Sequence, residues 1–481
     1  MSISTPNHVS ADAGSAARRL CDEPASFFGN SHTAMHTTDR DVLAGLQLDG
    51  LRYRFGDLRS KIAILDRLAG RQGIDELVSL DDVVPVLFEH TLYKSYPVAL
   101  LEQSRFGDLT RWLDKLTAVD LSGLDVSDCK LIDDWVRVLD EQTDLKIAHS
   151  SGTSGTMSLL PMSKAEWQKF GRVFRVIYLQ RFGEDVDPMA DAEIFAIYPY
   201  FRYGASAHIR VLDMIVEHLL GSEDRLYVAY PGRLSSDVLF LAGRLRAAQA
   251  RGDADRLRIP PALAARRDQF EELQKEMPQQ LEAFLERTSA ELQGKRIFMA
   301  GTWNLFHGMA TRGLAKGLEK VFAPNSIVSS GGGAKGMVPP SNWQEDVRRF
   351  FGIESITKAY AMSEINAVHL MCERGRYHIA PWVIPFLLDP ETGQALPRRG
   401  TVTGRAAFFD LSAETRWGGF VTGDRITVEW DHACECGRAT VYIVGEIERF
   451  SDLEGGDDKI TCAATESAHR DAMEFLTGVG E

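Results

Sequence analysis

The chain has 481 residues, 44% of them hydrophobic, and a formal net charge of -14 at pH 7. That length and composition imply a globular protein able to bury a sizeable core. So acidic a balance excludes nucleic acid and anionic membrane as main partners, since both need a clustered positive field. No run of about 20 apolar residues is present, and the N-terminus lacks the basic start and apolar centre of a secretory signal, so the cytoplasm is the expected address. The six cysteines are too sparse for a disulfide scaffold; Cys21 and Cys129 stand isolated, while the other four raise the question of metal or thiol chemistry.

Residues 1–38 are rich in Ser, Ala, His and Asp without apolar periodicity, which predicts a mobile lead-in. From Asp39 to Asp144, stretches such as DDVVPVLFEHTLYKSYP and IDDWVRVLDEQT place apolar residues at helical intervals and predict a helical lobe. A soft loop, HSSGTSGT at 149–156, comes next. Beyond it AEIFAIYPY, DRLYVAY and KRIFMAG read as short buried strands separated by helices, the pattern of an α/β core. Residues 233–293 read as a helical insertion in which Phe270, Leu273, Met277, Leu281, Phe284 and Leu285 form a packing stripe, with Pro278 at a kink or a second helix start. Ser341 and Gln344 have the spacing of a capping box ahead of a helix, and IESITKAY then predicts a strand. From Tyr377 the pattern becomes β, and the chain closes on a short helix and tail.

The run Ser150, Ser151, Gly152, Thr153, Ser154, Gly155, Thr156 carries no bulky side chain. Such a run lets backbone N–H groups and hydroxyls turn together toward an anion, which makes it a triphosphate candidate. It is not a Walker A loop, because no Gly-Lys-Ser/Thr follows, and alone it reads equally as a linker. Three later segments supply company: SSGGGAKGM at 329–337, AYAMSEIN at 359–366 and GGFVTGDRITV at 418–428.

In this order the four segments resemble the AMP-forming adenylating superfamily, most nearly the branch of phenylacetate-CoA ligases and bioluminescence acyl-protein synthetases. The resemblance covers about residues 80–450. It implies an α/β fold: a large adenylate-forming domain over 39–448, made of a helical lobe, α/β sheets and a β-rich subdomain, then a short C-terminal stub at 449–481. It further implies that residues 150–156 hold the β and γ phosphates of ATP. Gly331, Gly332 and Gly333 would approach adenine, with Tyr360 beside it. Ser363 would lie near the α phosphate, Glu364 would serve as the Mg²⁺ carboxylate, and Asp424 would accept the ribose hydroxyls. Arg449 matches the hinge-region arginine loosely.

The implied reaction activates an aromatic or acyl carboxylic acid as acyl adenylate and passes it to a thiol, such as CoA or a carrier, or to an amine. Two departures stand out. Ser158 replaces the family's phosphate-loop lysine, and the stub leaves no room for the swinging domain and its lysine; Lys335 and Lys459 are the substitutes on offer. Cys462 suggests a rival, an acyl-protein synthetase forming a thioester on itself, and the missing lysine suggests another, a non-catalytic nucleotide-binding scaffold. Tyr198, Phe201, Arg202, Tyr203 and His208 are candidate substrate contacts, with Arg202 as carboxylate anchor, although an aromatic cluster more often simply packs.

Cys372, His378, Cys434 and Cys436 offer three thiolates and one imidazole, the donor set of a closed structural zinc site, with ordinary buried cysteines as the alternative.

Overall fold

The structure is a computed structural model that describes residues 9–150, 156–182, 187, 189, 193–254, 257–333 and 338–452, with side chains from residue 14 onward. Its strands are β1 (Phe88–Glu89), β2 (Ala148–His149), β3 (Leu159–Leu160), β4 (Phe195–Tyr203), β5 (Leu226–Arg233), β6 (Ile297–Gly301), β7 (Ile327–Ser330), β8 (Thr357–Tyr360), β9 (His369–Leu370), β10 (Tyr377–His378), β11 (Val383–Leu388), β12 (Thr401–Asp410), β13 (Gly419–Glu429) and β14 (Tyr442–Arg449). They form a mixed α/β architecture. One sheet runs in the order β5-β4-β6-β7-β8-β9, parallel except for β9; the other runs β10-β14-β13-β12-β11, antiparallel, with β1 added in parallel to β13. The pair β2-β3 stands apart.

In the parallel sheet β4 and β6 are the buried runs expected from the sequence, because strands covered on both faces lose the polar alternation, whereas β5, at the sheet edge, is buried only at Ala229 and Tyr230. The segment 233–293 is its crossover rather than an insertion. Parallel strands of one sheet need a long connection, and helices Ser236–Arg251, Pro261–Ala264 and Arg267–Glu291 carry the chain from the edge strand β5 past β4 to β6. Pro278 sits inside the last of these without ending it; Phe270, Leu281, Phe284 and Leu285 are buried, while Leu273 and Met277 pack at the rim. Helix Trp343–Phe351 starts from Asn342, one residue after the expected cap, and no side-chain cap bond is made; Asn342 instead donates to Asp346 at 2.9 Å. That helix lies close against Trp303–Ala315, where a Cβ at Gly313 would stand 2.1 Å from the Phe350 ring.

The N-terminal segment departs from the mobile lead-in. Helices α1 (Val9–Asp22), α2 (Pro24–Phe27) and α3 (His32–Thr37) precede the long α4 (Arg40–Arg59). Leu20, Cys21 and Met35 are each 0% exposed within the main core, and α1 packs on α4. The apolar residues here are few and widely spaced, so no periodicity shows; Ala17, Leu20, Cys21, Ala25, Phe28 and Met35 are nonetheless buried, and tertiary packing decides the outcome. Asp39 opens α4 by accepting the N–H groups of Asp41 and Val42. Among the described residues no helix is long and apolar enough to cross a membrane.

Candidate functional site

The carboxyl ends of parallel strands are where open α/β sheets leave a crevice. Here β4, β6, β7 and β8 end at Tyr203, Gly301, Ser330 and Tyr360. The hydroxyl loop is fixed at this edge by its base. The N–H of His149 donates to the carbonyl of Ala205, just past β4, at 3.0 Å. The N–H of Ser150 donates to Ser158 at 3.0 Å, and the N–H of Ser158 returns to the Ser150 hydroxyl at 2.9 Å. Ser150 and Ser158 are thus bonded to each other at the base of the segment; Ser151, Gly152, Thr153, Ser154 and Gly155 lie outside the described residues.

His149 holds Ser150 in place. Its Nδ1 lies 2.9 Å from the Ser150 carbonyl and its Nε2 3.0 Å from the Ser236 hydroxyl. A carbonyl only accepts, so Nδ1 carries the proton and Ser236 donates to Nε2. Burial pushes the imidazole pKa down to about 4, which keeps it neutral.

At the far side, the Gly331 N–H donates to Gly301 at 3.0 Å, and a Cβ there would meet the Ala359 carbonyl at 3.3 Å. Gly332 and Gly333 have φ of +80° and +61°, which glycine alone adopts freely. Lys335 is outside the described residues. Tyr360, buried at the end of β8, donates its hydroxyl to Asp424 Oδ2 at 2.8 Å, and Arg449 Nε is 3.6 Å from Asp424 Oδ1. Strand register explains the second contact, since Asp424 and Arg449 are direct partners across β13 and β14. Burial, then the Asp424 charge, hold the Tyr360 phenol well above its usual range.

Ser363 and Glu364 follow in a half-buried turn. Burial raises the Glu364 carboxyl, the charges of Arg416 and Arg449 oppose that, and Asp424 adds to it. Glu364, Asp424 and Arg449 therefore share one electrostatic neighbourhood with Tyr360. The Glu364 carboxylate feels the Asp424 charge, and a half-buried carboxylate oxygen suits a hard divalent cation.

The aromatic segment of β4 behaves differently from its reading as a substrate wall. Tyr198 and Phe201 are core residues at 5% and 0% exposure, and Phe201 packs on Tyr230 with ring centroids 4.9 Å apart. Arg202 is no free anchor. Its Nη1 donates to Asp213 at 2.9 Å, and Nε and Nη2 grip Glu223 at 2.5 and 2.9 Å, so its fork is already filled by two carboxylates. Only Tyr203, exposed, and His208, half-buried, face outward.

The cysteine cluster is assembled as a unit. Cys372, His378, Cys434 and Cys436 present donor atoms all within 4.8 Å of one another. Cys372 and Cys434 sulfurs are 3.9 Å apart, and Cys436 Sγ lies 3.3 Å from His378 Nε2. Zinc bonds of about 2.3 Å to sulfur and 2.0 Å to nitrogen predict tetrahedral edges of about 3.8 and 3.5 Å, whereas a disulfide needs about 2.05 Å. The spacing fits the metal and not the disulfide. Two like turns, Cys-Glu-Arg-Gly-Arg and Cys-Glu-Cys-Gly-Arg, present the thiols. In each the glycine N–H returns to the first cysteine carbonyl at 2.9 Å, with φ of +72° at Gly375 and +87° at Gly437. Arg374 faces Glu435 at 3.7 Å and Arg438 faces Glu373 at 3.8 Å, a reciprocal pair between the turns. Lys459 and Cys462 lie outside the described residues.

No family model matches the chain, and no curated protein matches it. Among solved structures it is similar to an open conformation of 2-hydroxyisobutyryl-CoA ligase in complex with 2-HIB-AMP and CoA, at 12% identity and a TM-score of 0.48, covering 85% of this chain and 75% of that one. A postadenylation-state structure of the same ligase gives 12% identity and 0.47 over 92% and 86%. ATP-bound MatB from Rhodopseudomonas palustris gives 16% and 0.36 over 64% and 49%. Likenesses this loose give no residue a role.

Sequence reasoning passed over Arg416, and its surroundings explain why it matters. It is 0% exposed, 3.4 Å from Asp410, 3.5 Å from Asn366 and 3.8 Å from Glu166, and its charge reaches Glu364. Glu166 is the far half of a capping box with Ser163 and also accepts from the backbone of Glu414 at 3.0 Å. In the sequence Arg416 stands between Thr415 and Trp417 in SAETRWGG, a polar stretch that gives no sign of its burial.

Proposed function

We propose that this chain is an ATP-dependent, AMP-forming ligase acting on a carboxylic acid, aromatic or acyl, in the cytoplasm. The observation that carries the reading is the Tyr360–Asp424–Arg449 cluster, set beside Gly331 at the carboxyl edge of the parallel sheet. Distant segments expected to bind different parts of ATP lie together there, with Glu364 in the same field.

In this reading Asp424 accepts the ribose hydroxyls, Gly331, Gly332 and Gly333 let backbone approach adenine, and Tyr360 flanks the ring. The hydroxyl loop from Ser150 to Thr156 holds the β and γ phosphates, and Ser363 stands near the α phosphate. Glu364 would hold Mg²⁺, which when bound neutralises phosphate charge. An oxygen of the acid attacks the α phosphorus while the bond to the pyrophosphate oxygen breaks, giving acyl adenylate and pyrophosphate. Positioning and charge carry such a displacement. The acyl group then passes to a thiol such as CoA or to an amine, with AMP leaving. Lys335 and Lys459 are proposed to stand near the phosphates. Cys372, His378, Cys434 and Cys436 would hold a structural Zn²⁺, since four protein donors leave no open position.

ATP–pyrophosphate exchange across a panel of aromatic and aliphatic acids tests the proposal. Exchange dependent on one class of acid and on Mg²⁺ is expected; no exchange with any acid, by protein that binds ATP, would favour a scaffold. A labelled acyl group retained on wild type but not on Cys462→Ser would redirect the second step to the protein's own thiol.

A further inference from the structure

Thr440 stands between two histidines. Its hydroxyl oxygen is 3.3 Å from Nδ1 of His378, one of the four clustered donors, and 2.9 Å from Nδ1 of His36 in α3. For His378 to offer its Nε2 lone pair to a metal, Nδ1 must keep its proton and donate it to Thr440. The threonine hydrogen is then free to point at His36 Nδ1. Chemistry therefore orders the chain as His378 to Thr440 to His36, and a residue some 340 positions earlier in the sequence fixes the tautomer of the ligand.

Backbone contacts tie the same places together. The His36 carbonyl accepts the N–H of Ala439 at 2.6 Å. Arg40, in the first turn of α4, spreads its guanidinium over three carbonyls, those of Ala439, Trp430 and, at 2.7 Å, His432. These belong to the loop that carries Cys434, Cys436 and Thr440. The His36 ring lies edge-on to His378 at 5.7 Å and to His32 at 4.8 Å. Two tight thiol-bearing turns have little apolar area of their own; among the described residues their buried cluster is Cys372, Cys434 and Tyr442.

We infer that residues 32–40 are the outer shell of the metal centre, so that zinc loading and docking of the N-terminal helices are coupled. The inference rests on the reading of the Cys₃His set as a zinc site. His36 and Arg40 act as positioning residues: one orients the ligand imidazole, the other holds the ligand loop closed. Linkage makes the effect reciprocal, with metal steadying α1–α3 as much as they steady the metal.

The test uses the full chain, prepared under reductant. Zinc content is measured first, then zinc affinity by competition with a chromophoric chelator for wild type, His36→Phe, Thr440→Val and Thr440→Ser. Wild type should hold about one zinc per chain. His36→Phe and Thr440→Val should bind about 10- to 100-fold more weakly, while Thr440→Ser, which keeps the hydroxyl, stays near wild type. Hydrogen exchange on the wild type needs no variant: stripping zinc should speed exchange across residues 14–37 more than across β11 and β12. Wild-type affinity in both disruptive variants, with exchange in 14–37 indifferent to zinc, would overturn the coupling while leaving the zinc site standing. Freshly prepared wild type without zinc would overturn both.

Discussion

The hydroxyl of Tyr360 donates to Asp424 at 2.8 Å, joining the end of a parallel strand to the middle of an antiparallel one. Two sheets thereby meet at one carboxylate, the group proposed to accept the ribose hydroxyls. Tyr360→Phe removes a single hydrogen bond to a charged acceptor, worth about 1.5–3 kcal/mol. It should raise the KM for ATP roughly 10- to 100-fold in the exchange assay, with kcat changed less. An unchanged KM would separate Tyr360 from nucleotide binding.

His149 is expected to act on the phosphate loop through its base. His149→Phe deletes the bonds to the Ser150 carbonyl and the Ser236 hydroxyl and should weaken ATP binding about 5- to 30-fold, two neutral bonds' worth. His149→Asn, which keeps a donor, should lose less. Calorimetric titration with ATP and Mg²⁺ checks the order; equal losses would mean that bulk, not bonding, matters there.

Asp237 links stability to pH. It caps helix Ile132–Gln142 by accepting the N–H groups of Ile132 and Asp133 at 2.8 and 3.1 Å, while Asp133 caps the helix that begins at Ser236. Burial, then the nearby Asp133 charge, raise its pKa from 3.8 to about 8. The folded state therefore keeps a proton that the unfolded chain releases near 3.8. Its contribution is full below that value and is lost as pH rises through about 8. Asp237→Asn should flatten this decline, so the difference in melting temperature between variant and wild type shifts in the variant's favour between pH 4 and pH 8. A parallel pair of curves would refute the raised pKa.

Removing Arg416 should cost more than removing any exposed arginine. Arg416→Met leaves Glu166 and Asp410, both 0% exposed, without the cation they share. Breaking a buried pair in this way costs about 3–5 kcal/mol. Thermal unfolding should show a drop of several degrees, against almost none for Arg137→Met on an exposed i,i+4 pair. Similar shifts for both would mean the buried network contributes no more than a surface pair.

Much of this arrangement was legible in the sequence because it depends on local pattern. The runs before Tyr203 and Gly301 are strands because they are mostly apolar and short. Gly332 and Gly333 are needed for their backbone, and the four donors of the cysteine cluster were recognisable by type alone. What stayed hidden depends on partners far along the chain. Nothing around Arg202 announces that Asp213 and Glu223 fill its fork. Nothing in residues 1–38 announces that Leu20, Phe28 and Met35 have a core waiting for them. The twin Cys-Glu-x-Gly-Arg turns were visible as letters, but their equivalence shows only when the glycines and reciprocal ion pairs are seen in space.

In the proposed function, a single nucleotide is held by remote segments at one carboxyl edge. Side-by-side exchange rates for wild type, Glu364→Gln and Asp424→Ala, at saturating acid, address it most directly. Collapse of both variants by about 100-fold or more, the scale of losing one transition-state contact, with folded circular dichroism preserved, is the predicted result. Wild-type exchange in both would contradict the placement of cation and ribose, and with it the site.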